Sequence, residues 1–335
     1  TFYQQFSRRN FLKTTAAGAA ATVAIPSHLA ALLSPTAALA ATTVKATHGS
    51  GFCNMGIFLA KERELTKADG VDLEFVVTPS NTEITTMFGA GLVDISMIPY
   101  SNFMTLYDAG APVRIVAGGG VQGCIIVAKE GIKSAADLKG KTFGTFQADT
   151  LEVLPYASLK KAGMTFQDVD VRYLNTSPEL AQAFIAGAVD AICHIEPYAT
   201  QCVQGRPGAT ILSDGTDLYG KGYSDCVLAA VKAVIKALMV AQSQAESDKQ
   251  AALNDTVGSY YKTSMEAAMD ASAKQPIVVD QRDQTQFIID RGVSMKELGY
   301  IQKLPDAGAF DWSLLNQVIA ENGTLYSSLH LKSAA

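Results

Sequence analysis

The sequence predicts an α/β fold in two lobes, each lobe a mixed or mostly parallel sheet flanked by helices. Three observations carry that expectation. Short apolar runs alternate with longer amphipathic stretches from Val44 to about Leu212, the pattern of repeated βα units. A run of three glycines, Gly118-Gly119-Gly120, interrupts the alternation, which resumes at Cys124 as a second series. From Cys226 onward the chain reads as mainly helical. At 335 residues the chain is long enough for two domains with a core in each.

In the first series Val44–His48 reads as a strand, Gly49-Ser50-Gly51 as a turn and Met55–Glu64 as a helix. Val71–Val77 is the next strand, Asn81–Ala90 a helix and Asp94–Met97 a strand stopped by Pro99. Phe103–Tyr107 reads as a short helix and Val113–Ala117 as a strand. The three glycines suit close backbone approach or hinge freedom. They are no phosphate loop, because no Gly-Lys-Ser/Thr follows them.

The second series opens with the strand Cys124–Ala128 and a helical turn at Ala135–Leu138. Thr142–Gly144 reads as a strand and Leu151–Lys161 as a helix, with Pro155 predicting a kink or a later start. Val169–Leu174 is a strand, and Ser177 is read as the cap of a helix reaching Ala186, with Pro178 just inside it. Ala191–His194 and Ala209–Leu212 are the remaining strands. Three or four helices are expected between Ala229 and Gly323, broken near Pro276 and Pro305, with Leu325–Ala335 as a strap or fraying end. The expected division is a signal segment over residues 1–40, lobe one over 41–121 plus 216–335, and lobe two over 122–215.

Composition bounds the function. With 48% apolar and 18% charged residues the chain is an ordinary globular one. A net charge of -5 argues against a nucleic-acid binder, which needs basic side chains to displace counterions. Ser7-Arg8-Arg9-Asn10-Phe11-Leu12-Lys13, followed by a small-residue run to Ile25, has the form of a twin-arginine export signal. The plainer alternative is a basic patch ahead of a buried helix. Ala38-Leu39-Ala40 offers a cleavage site, and no later stretch reads as a membrane span. The expected location is the periplasm, reached through the twin-arginine export machinery. The five cysteines, Cys53, Cys124, Cys193, Cys202 and Cys226, are odd in number, so at least one stays unpaired, and a Cys193–Cys202 bridge is one option. No compact metal-ligand spacing occurs. His48, Cys53, Cys193 and His194 are too scattered to predict a metal, and no cofactor is implied.

Four stretches resemble a known family. His48-Gly49-Ser50-Gly51-Phe52-Cys53-Asn54 and the helix after it resemble its first strand, ligand loop and helix. Phe88-Gly89-Ala90-Gly91-Leu92-Val93-Asp94-Ile95 resembles a glycine-to-aspartate segment before a lobe-one strand. Gly131–Lys141, with Asp137-Leu138-Lys139-Gly140-Lys141, resembles the opening of lobe two, and Ala186–Tyr198, with Glu196-Pro197, resembles a segment near its end. In order and spacing these are similar to the periplasmic solute-binding proteins of ABC importers, of the nitrate, sulfonate and taurine type. Some relatives of that type bind thiamine-pyrimidine precursors. The resemblance spans about Val44 to Thr210.

What it implies is a two-lobed periplasmic binding protein fold of type II that closes on a small molecule between its lobes. The implied role is the substrate-binding component of an ABC importer, not an enzyme, working with an ABC permease of the inner membrane, as a monomer. The residues it implies as ligand-binding are Ser50, Phe52, Cys53, Asn54, Ser96, Tyr100, Thr145, Phe146, Gln147, Asp149, Glu196 and Tyr198. On that assignment Glu196→Ala weakens binding and leaves the fold intact. Asp149, Glu152, Glu196 and Asp225 give the region more acids than bases, so a small polar organic solute is expected as much as an organic anion. The cysteine cluster of thiamine-precursor relatives is absent. A ligand sensor for a membrane receptor, or a pyrimidine-synthase-like enzyme, is the alternative reading. His48 itself fits either core packing or pocket contact.

Overall fold

A computed structural model of the chain describes residues 41–78, 80–229 and 232–333. The signal segment and its cleavage site lie outside these residues. The first of two sheets runs in the order β2-β1-β3-β10-β4, from β1 (Thr42–His48), β2 (Val71–Phe75), β3 (Ile95–Pro99), β4 (Ala117–Gly118) and β10 (Cys226–Ala229). The second runs β7-β6-β8-β5-β9, from β5 (Cys124–Ala128), β6 (Thr142–Thr145), β7 (Asp170–Tyr173), β8 (Ala191–Ile195) and β9 (Thr210–Ser213). Both sheets are mixed. β2, β1 and β3 are parallel with β10 antiparallel beside β3, and β7, β6 and β8 are parallel with β5 antiparallel beside β8. The central strands β5 and β8 are buried along their whole length, as expected of strands covered on both faces.

Helices cover the sheets: α1 (Met55–Glu62), α2 (Asn81–Gly89) and α3 (Tyr100–Asp108) follow the first strands. α4 (Thr150–Lys161), α5 (Ser177–Ile185), α6 (Tyr198–Gly205) and α7 (Thr216–Tyr219) belong to the second half of the alternation. The tail carries α8 (Lys232–Ser247), α9 (Lys249–Thr256), α10 (Met265–Ala271), α11 (Thr285–Glu297), α12 (Ser313–Glu321) and α13 (Gly323–Ser328). α8 presents Val234, Ile235, Leu238 and Ala241, spaced for one helical face, to the core shared with α1. The strap after α13 is tied to α8, since Gln242 Nε2 donates to the Leu331 carbonyl at 2.6 Å.

Several expectations change. The chain after Cys226 is a strand, β10, before it is helical, and the tail holds more helices than three or four. The expected strand Val113–Ala117 shrinks to β4 and one bridge between Ile115 and Phe310. The cap of α5 is Thr176, whose side chain accepts from the Glu179 N–H, and Ser177 is already helical. Pro155 neither delays nor ends α4. It has no N–H to offer the Leu151 carbonyl, and Thr145 Oγ1 donates to that carbonyl at 2.6 Å instead. All five cysteines are free and buried, so Cys193 and Cys202 form no bridge. Among the described residues no helix is long and apolar enough to cross a membrane.

The two crossings between the sheets lie side by side. Val121 bridges Ser224, the Gln122 N–H donates to the Tyr223 carbonyl at 2.8 Å, and the Asp225 N–H donates to the Gly120 carbonyl at 3.2 Å. Gly120 is there because of space. A Cβ on it would lie 2.6 Å from Cys53 Cα and 2.7 Å from Cys53 Cβ, closer than atoms approach without backbone movement. Gly120→Ala is therefore expected to cost about 1–3 kcal/mol, the usual range for overpacking. A denaturant midpoint equal to wild type would refute this close packing.

Candidate functional site

The topology brings four chain segments to one edge. Parallel strands β1 and β3 end at His48 and Pro99, and β6 and β8 end at Thr145 and Ile195. The antiparallel strands begin where their neighbours end, because Cys226 pairs with Pro99 and Cys124 with Ile195. Loops at carboxyl ends of sheet strands are where α/β folds hold ligands. Here the crossings add the first residues of β10 and β5 to that edge.

A pocket of about 40 Å³ opens at this edge, lined in part by Ser50, Cys53, Asn54, Met97, Phe146, Asp149, Thr150, Ser177, Asp225 and Cys226. By the same measure one water needs roughly 10–15 Å³, so the space suits a species of a few heavy atoms. Hydrogen bonds between elements of the two sheets surround it. Ser50 Oγ donates to Ser177 Oγ at 2.7 Å, the Phe52 N–H donates to the Glu196 carbonyl at 2.8 Å, and Asn102 Nδ2 donates to the Ala148 carbonyl at 3.2 Å. Thr150 Oγ1 donates to Asp225 Oδ1 at 2.8 Å.

The floor is acidic and sulfur-rich. Asp149 and Asp225 are 2% and 1% exposed. Asp149 caps α4, its Oδ1 accepting from the Leu151 N–H at 3.0 Å. Asp225 accepts from Thr150, from Gln275 Nε2 at 2.7 Å and from the Cys124 thiol at 3.4 Å. Asn54 Nδ2 donates to Cys53 Sγ at 3.3 Å. No lysine, arginine or histidine lines this pocket. Burial raises the Asp225 carboxyl above the ordinary carboxylate range against the pull of those donors. Burial also pushes the Cys53 thiol up to about 12.

Of the residues expected to bind ligand, Ser50, Cys53, Asn54, Phe146 and Asp149 meet around the pocket. The others lie elsewhere. Phe52 is fully buried, edge-on to Tyr261 at 4.8 Å between ring centres. Ser96 accepts from Thr47 Oγ1 at 2.8 Å, Thr145 serves α4, and Tyr100 packs on Phe287. Gln147 is exposed. Glu196 turns from the pocket, taking Thr200 N–H at 2.9 Å and Thr200 Oγ1 at 2.8 Å, with Lys274 Nζ at 3.6 Å. Burial raises its carboxyl to about 7. Tyr198 stacks on His194 at 5.1 Å and borders an adjoining depression that shares Ser50 and Ser177 with the pocket and also holds His48 and Lys262.

His48 packs edge-on to Phe58 and Phe75, each at 4.7 Å, so aromatic packing holds one side of the ring. His194 is used at both ring nitrogens. Nδ1 accepts from the Ile195 N–H at 2.8 Å, so the proton sits on Nε2 and goes to the Ser177 carbonyl at 2.9 Å. Burial lowers its pKa to about 4. Sequence reasoning missed Ser177, Cys226 and Gln275. For Cys226 the available signal was its position right after Asp225, at the second crossing.

Residues 52–206 match the family model described as NMT1/THI5 like, and residues 5–24 match the twin-arginine translocation signal sequence. That signal directs export to the periplasm. A putative binding protein of Brucella abortus is 29% identical over 163 residues, covering 48% of this chain and 50% of its own length. The chain spans about half the length of the curated relatives it matches. Among solved structures, the periplasmic aliphatic sulphonate binding protein of Escherichia coli superposes with a TM-score of 0.67 at 21% identity, covering 81% of this chain and 92% of that one. The periplasmic nitrate-binding protein of Synechocystis superposes at 0.70 and 16% identity, covering 87% and 91%. At these identities the likeness establishes the fold, the two-lobed α/β architecture of periplasmic binding proteins.

Proposed function

From the premise that residues 52–206 form an NMT1/THI5-like domain, we propose that the protein is the solute-binding component of an ABC importer. It works as a monomeric periplasmic clamp that delivers a small polar organic solute to an inner-membrane permease. The lobes are taken as 41–121 with 216–335, and 122–215. The observation that carries the reading is the set of hydrogen bonds joining the two sheets around one pocket, Ser50 to Ser177 foremost. A solute touching both sides of that pocket favours the closed form by its differential affinity, and the permease reads the closed surface.

The lining argues for the solute's charge. Asp149 and Asp225 face the space with no basic side chain in the lining, so a neutral or cationic solute that donates hydrogen bonds is favoured over an organic anion. The relatives named for sulphonate and nitrate thus share the fold and differ in what the pocket selects. A binding role rather than catalysis is supported by the histidines. None lines the pocket, and both nitrogens of His194 are already bonded.

The test is thermal-shift titration of the periplasmic protein with small organic amines, alcohols, carboxylates and sulfonates. Amines or polyols are expected to stabilise it, by about 2.7 kcal/mol at a hundredfold excess over Kd. Asp149→Asn keeps a good helix cap and removes the charge, so it is expected to weaken binding at least about 10-fold, the loss of one charge-assisted bond. Stabilisation by sulfonates or carboxylates alone would reject the charge assignment. No stabilisation by any class, with no small mass released in native mass spectrometry, would reject the clamp.

A further inference from the structure

Cys53, Cys226 and Asp225 bring their Sγ and carboxylate atoms within 4.8 Å of one another at the pocket floor. They come from three places: the loop after β1, the first residue of β10, and the crossing just before it. All three are buried, and all three line the pocket. Cys226 Sγ already lies 3.2 Å from Asp225 Oδ2. A tetrahedral ion with bonds near 2.3 Å to sulfur and about 2.0–2.2 Å to oxygen separates its ligands by roughly 3.5–3.8 Å. The three donors therefore need adjustments of about an ångström to share one ion.

We propose that the pocket floor holds one Zn²⁺ ion on Cys53, Cys226 and Asp225, its fourth position open to the pocket. Two thiolates and one carboxylate make a borderline-soft donor set, which suits zinc better than the all-sulfur preference of Cu⁺ or the all-oxygen preference of Mg²⁺ and Ca²⁺. Supporting partners are in place on either side. Gln275 Nε2 holds Asp225 Oδ2 at 2.7 Å, Thr150 Oγ1 holds its Oδ1 at 2.8 Å, and Asn54 Nδ2 points at Cys53 Sγ at 3.3 Å. Such contacts fix first ligands and raise affinity. The buried Asp225 carboxylate has no lysine or arginine bridge among the described residues, and a divalent cation supplies the missing countercharge. On binding, two S–H bonds give way to two S–Zn bonds, and both protons go to solvent. Three ligands and one open position make the ion a contact for the solute, through one donor atom of that solute. This rests on the clamp reading above, whose pocket it shares.

The test uses the chain purified from the periplasm, stripped with chelator under reducing conditions and titrated with Zn²⁺ and, as a spectroscopic probe, Co²⁺. One ion per chain is expected, with a thiolate-to-cobalt charge-transfer band and two protons released. Cys53→Ser and Cys226→Ser should abolish the band, while Cys202→Ser, whose thiol faces the Ala181 carbonyl, keeps it. Gln275→Ala should weaken Zn²⁺ by about 10- to 100-fold, the usual cost of losing a supporting partner. It carries the test if either cysteine variant fails to fold. No band in the reduced protein, a band that survives both cysteine changes, or a Cys53–Cys226 disulfide in the protein as isolated would each overturn the site. If one of these results is found and the chelated protein is still stabilised by an organic solute, only the zinc inference falls and the clamp stands.

Discussion

Phe58→Ala is expected to destabilise the protein by about 3–5 kcal/mol, the range for removing a buried aromatic ring. Phe58 lies on α1 with no exposed surface and stacks on Tyr260 at 4.1 Å with planes 7° apart. It also meets His48 at 4.7 Å, Tyr261 at 5.5 Å and Phe75 at 6.0 Å. One ring thus joins β1, β2, α1 and the segment after α9. Alanine leaves a cavity that four rings cannot all collapse into, so transfer and cavity costs add. Phe58→Leu keeps most of the volume and should cost markedly less. The site feels the change too, because His48 precedes the loop that carries Ser50, Cys53 and Asn54. Chemical denaturation measures it, and a midpoint within error of wild type would show that this cluster does not anchor the first lobe.

The alternation of strand and helix was legible because β3, β5 and β8 are short apolar runs bounded by turn residues. β10 was not. Cys226–Ala229 leads almost directly into the apolar α8, and an apolar run of that kind does not distinguish a strand from a helix start. Its position beside β3 is a long-range fact, set by the second crossing. The same limit governed the site. The family resemblance pointed to the loop 50–54 and to 145–150, and Cys53, Asn54, Phe146 and Asp149 do line the pocket. The resemblance could not say which way each side chain turns. A short 3-10 turn at Phe52–Asn54 sends Phe52 into the core and Cys53 to the cleft. Thr145 is consumed by the carbonyl that Pro155 leaves open. Gln275 reaches Asp225 across 50 residues of sequence, and no local pattern encodes that contact.

Glu196→Gln is expected to change how stability depends on pH, by about 3 kcal/mol across the range 4.5 to 8. Burial raises this carboxyl from 4.5 to about 7, partly offset by the Thr200 N–H, Lys274 and the Thr200 hydroxyl. The folded chain therefore keeps a proton that the unfolded chain releases near pH 4.5. Its contribution is fully present below that pH and is lost as pH rises through about 7. His194 works in the opposite sense. Burial lowers it from 6.5 to about 4, so its contribution is full above pH 6.5 and is lost as pH falls through 4. Between about pH 4.5 and 6.5 the two slopes oppose each other. Glutamine carries no proton to lose, so the variant gains stability relative to wild type as pH rises, while the His194 slope in acid is left in place. The cost of the Thr200 bond that a glutamine NH₂ cannot accept is constant and leaves the slope alone. The groups facing Glu196 are Lys274 and the Cys202 thiol, which Glu196 helps to raise. Lys274→Met removes the cation and should push the Glu196 carboxyl further up, extending the loss of stability to higher pH. Denaturation midpoints at pH 5, 6, 7 and 8 measure all of this. A constant difference between Glu196→Gln and wild type over that series would mean that Glu196 stays ionised in its buried site.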